Sequence, residues 1–263
     1  MMKKVVLISI LFFSTLFIGA QNLSEVLDVP DGFDADLSES VELLNNNDIL
    51  FPSYKALELS IAYNTGTAFE TYRGYTNLKF LLEDEKIRMN VGMQYGYGTF
   101  DAMSSVVYWP LRFPQVKVGV GLIYNLEFFS NKSMTNNLLP GIYVDYRPCS
   151  WFTFDFMASF FIKARTIYAM ADATPLLMNY SLAFGFNFGF KFPHNFGLSI
   201  GFNSYEDFRY MVLCAPSFSA TLSYTLNESW VFYFSACAHY VDFFTLSAAF
   251  EDAEFKFNVR YLF

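Results

Sequence analysis

The stretch Val116-Lys117-Val118-Gly119-Val120-Gly121-Leu122-Ile123-Tyr124-Asn125-Leu126-Glu127-Phe128 alternates with almost no error. Val116, Val118, Val120, Leu122, Tyr124, Leu126 and Phe128 fall on one side. Lys117, Gly119, Gly121, Ile123, Asn125 and Glu127 fall on the other. Successive side chains of a strand point to opposite faces. The segment therefore reads as a strand with one apolar face and one face of mostly small, polar and charged groups.

Segments of the same kind lie on both sides of it. Ile87, Met89, Val91, Met93, Tyr95 and Tyr97 alternate with Arg88, Asn90, Gly92, Gln94 and Gly96. Farther on, Tyr180, Leu182, Phe184, Phe186, Phe188, Phe190 and Phe192 share one face. By alternation, about twelve strands run from Leu57 to Phe263. Tight Pro, Asn and Asp/Glu turns join alternate pairs, at 83–86, 114–115, 148–150, 193–195 and 227–229. Longer stretches join the others, such as Ser130–Asn137, Thr166–Leu176 and Ser204–Ser217. The expected fold class is all-β: a closed antiparallel transmembrane β-barrel of about twelve strands, with short periplasmic turns and longer outward loops. That topology expects Glu85, His194 and Glu228 at the periplasmic rim and Ser133, Ala173 and Glu206 in outward loops. A polytopic helical protein is the rival, tempted by the uncharged run Tyr210–Asn227, but that run holds Pro216 and several Ser and Thr.

Composition agrees with strands in lipid. The 263-residue chain is 54% hydrophobic but only 16% charged, with 33 Phe and 18 Tyr. Soluble domains sit near 45–50% apolar, and an aromatic excess favours strands over helices. At the start, Lys3 and Lys4 precede an apolar Val5–Ile18 stretch and the small-residue site Ile18-Gly19-Ala20. Residues 1–20 thus read as a secretory signal cleaved after Ala20, residues 21–54 as an acidic periplasmic segment or lumen plug, and residues 55–263 as the barrel. The expected location is the outer membrane of a Gram-negative-type envelope.

The last strand, Phe255-Lys256-Phe257-Asn258-Val259-Arg260-Tyr261-Leu262-Phe263, resembles the terminal recognition strand of bacterial outer-membrane β-barrel proteins. Lys256, Tyr261 and Phe263 fit that pattern, and Asn258 stands where glycine is usual. The resemblance implies insertion by the outer-membrane assembly machinery and contact with the lipid bilayer. The Phe-rich, His-poor composition is similar to that of spirochaete outer-membrane proteins.

Chemistry is sparse. The chain has two histidines. His194 falls in a turn, and His239 faces the lumen by parity with Ser235. About 13 Å separates that pair, too far for a direct hydrogen bond, and nothing resembles the pattern of the outer-membrane phospholipase. Cys149, Cys214 and Cys237 have no disulfide or metal spacing and read as small hydrophobes. The inward glycines lie inside strands, which excludes a phosphate-binding loop and leaves them as space-makers. No catalytic residue, metal site, cofactor or nucleic-acid partner is expected.

Charge carries more. By parity the lumen holds Arg73, Lys79, Arg88, Arg112, Lys117, Arg147, Lys163, Arg165, Lys191, Lys256 and Arg260 against four acids, Glu58, Glu127, Asp145 and Asp155. Tyr75, Tyr108, Tyr143, Phe161 and Tyr233 also point inward by parity. A basic lumen inside an acidic protein points to a narrow porin-like channel for small anionic solutes. A closed structural or surface-interaction barrel filled by those aromatics is the alternative, and an outer-membrane enzyme is a distant third. Residues 21–53 hold eight acids and no Lys or Arg. That segment is expected either to enter the basic lumen as a plug, with Leu43, Leu44, Ile49, Leu50 and Phe51 against inward aromatics, or to trail as an acidic tail.

Overall fold

The structure, a computed structural model, describes residues 51–66, 72–96, 99–129, 133–166, 176–206, 209–210, 217–240 and 250–263. The signal, the acidic segment as far as Leu50, Ala173 and Cys214 lie outside the described residues.

The strands are β1 (Tyr54–Gly66), β2 (Tyr72–Glu83), β3 (Ile87–Gly96), β4 (Thr99–Arg112), β5 (Val116–Phe129), β6 (Met134–Cys149) and β7 (Phe152–Thr166). They continue with β8 (Leu176–Lys191), β9 (Phe196–Asn203), β10 (Tyr205–Glu206), β11 (Arg209–Tyr210), β12 (Ser217–Thr225), β13 (Trp230–Tyr240) and β14 (Phe250–Leu262). Twelve of them close into a barrel in the order β1-β14-β13-β12-β9-β8-β7-β6-β5-β4-β3-β2, and β10 pairs with β11 as a separate ribbon. Every pairing is antiparallel. Half of the run Tyr210–Asn227, Ser217–Thr225, forms strand β12 and not a helix. Closure leaves no open edge, which a sheet needs in a medium that cannot solvate backbone N–H and C=O groups.

The alternation is realised as two faces. Leu57, Leu59, Ile61 and Tyr63 are exposed outward from β1, whereas Ala56, Glu58, Ser60, Ala62 and Asn64 are buried inside. On the outer face, aromatic rings of neighbouring strands meet: Phe154 with Phe188 at 5.1 Å, Phe186 with Phe202 at 5.1 Å, and Phe202 with Phe218 at 4.6 Å. Such pairs add about 0.5–1.5 kcal/mol each beyond area burial.

All five tight turns lie at the rim that also carries the two ends of the barrel, as an even strand number requires. The turn before β9 gives both His194 and Asn195 a φ of 64°, a region that Asn and His enter more readily than most side chains. The opposite rim is less uniform than the sequence reading expects. β3 and β4 are two residues apart there, and Ser130–Asn137 is not a long loop, because β5 runs to Phe129 and β6 begins at Met134. Ser133 is buried, with its carbonyl accepting from the Phe129 N–H. Strands extend past the lipid-facing alternation at this rim because nothing outside the hydrocarbon layer demands an apolar outer face.

One parity assignment fails. Tyr108 pairs with Ile87 and Val120, both outward-facing, so it lies on the lipid face. The register shifts between Tyr108 and Leu111. Trp109 faces inward in phase with Met103 and Val107, and the bulge after it puts Leu111 outward and returns Arg112 to the inner face opposite Lys117. Proline has no N–H to give the ladder, and an extra residue resets parity.

Candidate functional site

The lumen is filled unevenly. Inward side chains of β4 to β8 form one apolar cluster: Met103, Val107, Trp109, Ile123, Leu139, Tyr143, Met157, Phe161 and Ala183. The glycines of the opening stretch make this packing possible. A Cβ on Gly119 would lie 2.7 Å from the Trp109 ring, and one on Gly121 would lie 2.7 Å from the Tyr143 ring. This sector is a protein core inside a barrel.

Toward the short-turn rim, inward residues of β2, β3, β5 and β6 are ionic. Arg88 Nη2 donates to Asp145 at 2.9 Å, and Arg88 Nε bonds Glu83, its cross-strand partner. Arg147 grips Asp145 through two hydrogen bonds of 2.9 Å. Lys117 lies 3.8 Å from Glu83. The cations also face rings. Arg88 lies 5.1 Å from the Trp109 ring centre. Lys117 and Arg147 flank the ring of Phe51, at 4.6 and 4.9 Å. Cation–π contacts of this kind strengthen as water is excluded.

At the seam between first and last strands, Glu58 holds Arg260 at 2.6 Å and Lys79 at 2.8 Å. Arg260 lies 4.6 Å from the Tyr233 ring centre. Lys256 pairs with Glu254 at 3.1 Å and lies 5.8 Å from the Tyr75 ring centre. Tyr75, Tyr143, Phe161 and Tyr233 thus face inward, as parity expects.

Toward the other rim, Asp101 and Glu127 are directly opposed across β4 and β5. Gln94 donates to Asp101 at 3.2 Å and Asn137 to Glu127 at 2.8 Å. Lys163 and Arg165 stand on β7 opposite Asn137 and Thr135, and Arg165 lies 5.4 Å from the Phe129 ring centre.

The remaining wall is small and hydroxylated. β12 turns Ser217, Ser219, Thr221, Ser223 and Thr225 inward, and Thr221 shares a 2.9 Å hydrogen bond with Ser235. Apart from buried Ser217, these β12 hydroxyl residues keep partial access to solvent, while inward Lys117, Ile123 and Asn125 across the barrel are buried. A lumen cavity of about 500 Å³ remains, bordered by Arg88, Arg147 and Arg260 and by Glu83 and Asp155.

The expected basic residues are therefore distributed, not continuous. Lys79, Arg88, Lys117, Arg147, Lys163, Arg165, Lys256 and Arg260 stand on the inner face. Arg112 sits at the short-turn rim, 3.4 Å from Glu85, and Lys191 is exposed at the last residue of β8. Arg73 pairs with Asn64, but its side chain lies outside the described ones. Four inward acids escaped the sequence reading: Glu83, Asp101, Asp252 and Glu254, all buried. Parity with Lys79 marks Glu83, and parity with Lys256 marks Asp252 and Glu254. Their places beside turns and at strand ends hid them. They offset much of the positive surplus.

No family model matches the chain, and no curated protein matches it by sequence. Solved structures match it in fold. The NanC porin is 12% identical with a TM-score of 0.59, over 78% of this chain and 98% of that one. A KdgM porin is 10% identical with a TM-score of 0.53, over 79% and 99%. An outer-membrane channel from Pseudomonas putida F1 is 7% identical with a TM-score of 0.53, over 80% and 96%. At these identities the likeness is one of architecture, and it completes the argument from alternation and closure: this chain has the fold of a twelve-stranded outer-membrane β-barrel.

Proposed function

We propose that the protein is a narrow outer-membrane channel for small anionic solutes. The carrying observation is the lumen cavity of about 500 Å³, where Arg88, Arg147 and Arg260 outnumber Glu83 and Asp155. Carboxylates and rings hold these guanidinium groups in fixed places on the cavity wall. Asn187 and Asn203, on β8 and β9, supply neutral hydrogen-bonding groups to the same cavity. One KdgM porin structure is a complex with disordered oligogalacturonate, an acidic oligosaccharide, and a basic passage suits that chemical class. In this reading the Met1–Ala20 signal exports the chain, and the assembly machinery recognises Lys256, Tyr261 and Phe263.

Planar-bilayer recording tests it. In a KCl gradient the reversal potential is expected to show preference for chloride. Arg147→Gln combined with Lys163→Gln is expected to weaken that preference. A conducting barrel that prefers potassium overturns the anion reading. The apolar cluster of β4 to β8 favours a second reading, a closed structural or surface-interaction barrel, and absence of conductance in reconstituted, folded protein would select it.

A further inference from the structure

Cys237, His239 and Asp252 form a chain of contacts on the inner wall. The Cys237 sulfur lies 3.5 Å from His239 Nε2, and His239 Nδ1 lies 2.5 Å from an Asp252 carboxylate oxygen. Cys237 and His239 are two residues apart on β13 and share its inner face. Asp252 is the cross-strand partner of His239 on β14. A carboxylate at Nδ1 fixes the proton there, which leaves the Nε2 lone pair facing the sulfur. A nucleophile within reach of a base that a third group orients is the arrangement of an activated thiol. Parity with Ser235 and His239 puts Cys237 on the inner face, and the register between β13 and β14 adds Asp252.

We infer that Cys237 is a nucleophilic thiol that captures small α,β-unsaturated carbonyl compounds entering the lumen. Cys237 carries a thiol and retains 8% of its surface. Its partner across β12, Ser219, is small and partly open to solvent, so a flat, small electrophile can approach. Among the described residues, the charged groups on β14 at this site are Asp252, Glu254 and Lys256, the last two paired with each other. β12 presents only Ser217 and Ser219. In the capture step the thiol proton passes to His239 Nε2. Sulfur forms a bond to the β-carbon, and the π pair shifts to give an enolate. The enolate takes the proton back from His239 at its α-carbon. A thioether results, with no leaving group and no change of oxidant or reductant. This inference does not rest on ion conduction.

The experiment uses the full chain in detergent micelles with Cys149→Ser and Cys214→Ser, so that Cys237 is the one thiol. N-ethylmaleimide is the probe, and intact-mass spectrometry follows adduct formation on protein whose folded state is checked by heat-modifiable gel mobility. One adduct is expected. His239→Gly should slow it about a hundredfold, with added imidazole restoring the rate. Asp252→Asn should slow it and Asp252→Glu should keep it. Equal rates with and without His239, no rescue by imidazole, or an adduct that forms only after unfolding would each overturn the proposal.

Discussion

Glu58 and Arg260 meet across the seam of the barrel: one Glu58 carboxylate oxygen accepts from Arg260 Nε at 2.9 Å and from Nη2 at 2.6 Å, although 202 residues separate them. Lys79 takes the other oxygen at 2.8 Å. Two cations thus depend on one buried carboxylate. Glu58→Gln should lower stability by about 3 kcal/mol, because it leaves both cations uncompensated. Arg260→Met should cost less, since Lys79 still neutralises Glu58. Urea unfolding in micelles, followed by tryptophan fluorescence, checks that order, and the reverse order would show that Glu58 is not the hub.

Phe51 closes over Lys117 and Arg147 at the short-turn mouth. If the barrel conducts, Phe51→Ala should raise single-channel conductance, most clearly at low salt, where the uncovered cations are least screened. Unchanged conductance across salt concentrations would remove Phe51 from the path.

The two walls of the lumen should respond differently to substitution. Ser223→Trp, on the open side, should lower conductance with little loss of stability. Trp109→Ala, on the packed side, should destabilise the fold by about 3–5 kcal/mol. Conductance of the Ser223 variant equal to that of the parent would place the passage elsewhere.

Phe263 ends the chain with its N–H donating to the Lys55 carbonyl at 3.0 Å and its ring 6.2 Å from Phe80. Phe263→Asp should reduce the amount of folded protein in the outer membrane, through poorer recognition and a charge near lipid. Normal abundance with normal heat-modifiable mobility would count against that role.

The architecture was readable because its cause is local. Wherever lipid touches the wall, every second residue must be apolar, and the Val116–Phe128 run states this without help from distant residues. Strand ends escaped because that constraint stops at the hydrocarbon edge, so Phe250–Glu254 was not recognised as part of the last strand. Tyr108 was misplaced because one bulge resets parity and leaves only Pro110 as a trace. The lumen was less legible. Parity says which residues face inward, but not that Trp109 would fill the space above Gly119, or that Glu83 and Glu58 would meet Arg88 and Arg260. Those depend on register between strands. The plug expected of residues 21–53 lies outside the described residues, except that Phe51, near its end, does meet lumen cations.

The cluster around Trp109 also has a mechanical meaning. Close-packed interiors compress little and transmit strain, whereas a wall backed by water and short hydroxyl side chains can bend. The β4–β8 arc is therefore stiff and the β9, β12 and β13 arc compliant. Lateral pressure from the bilayer deforms the compliant arc first, so the cross-section becomes oval under load instead of shrinking evenly. The side chains packed around Trp109 then keep their spacing while the β12 side takes up the change.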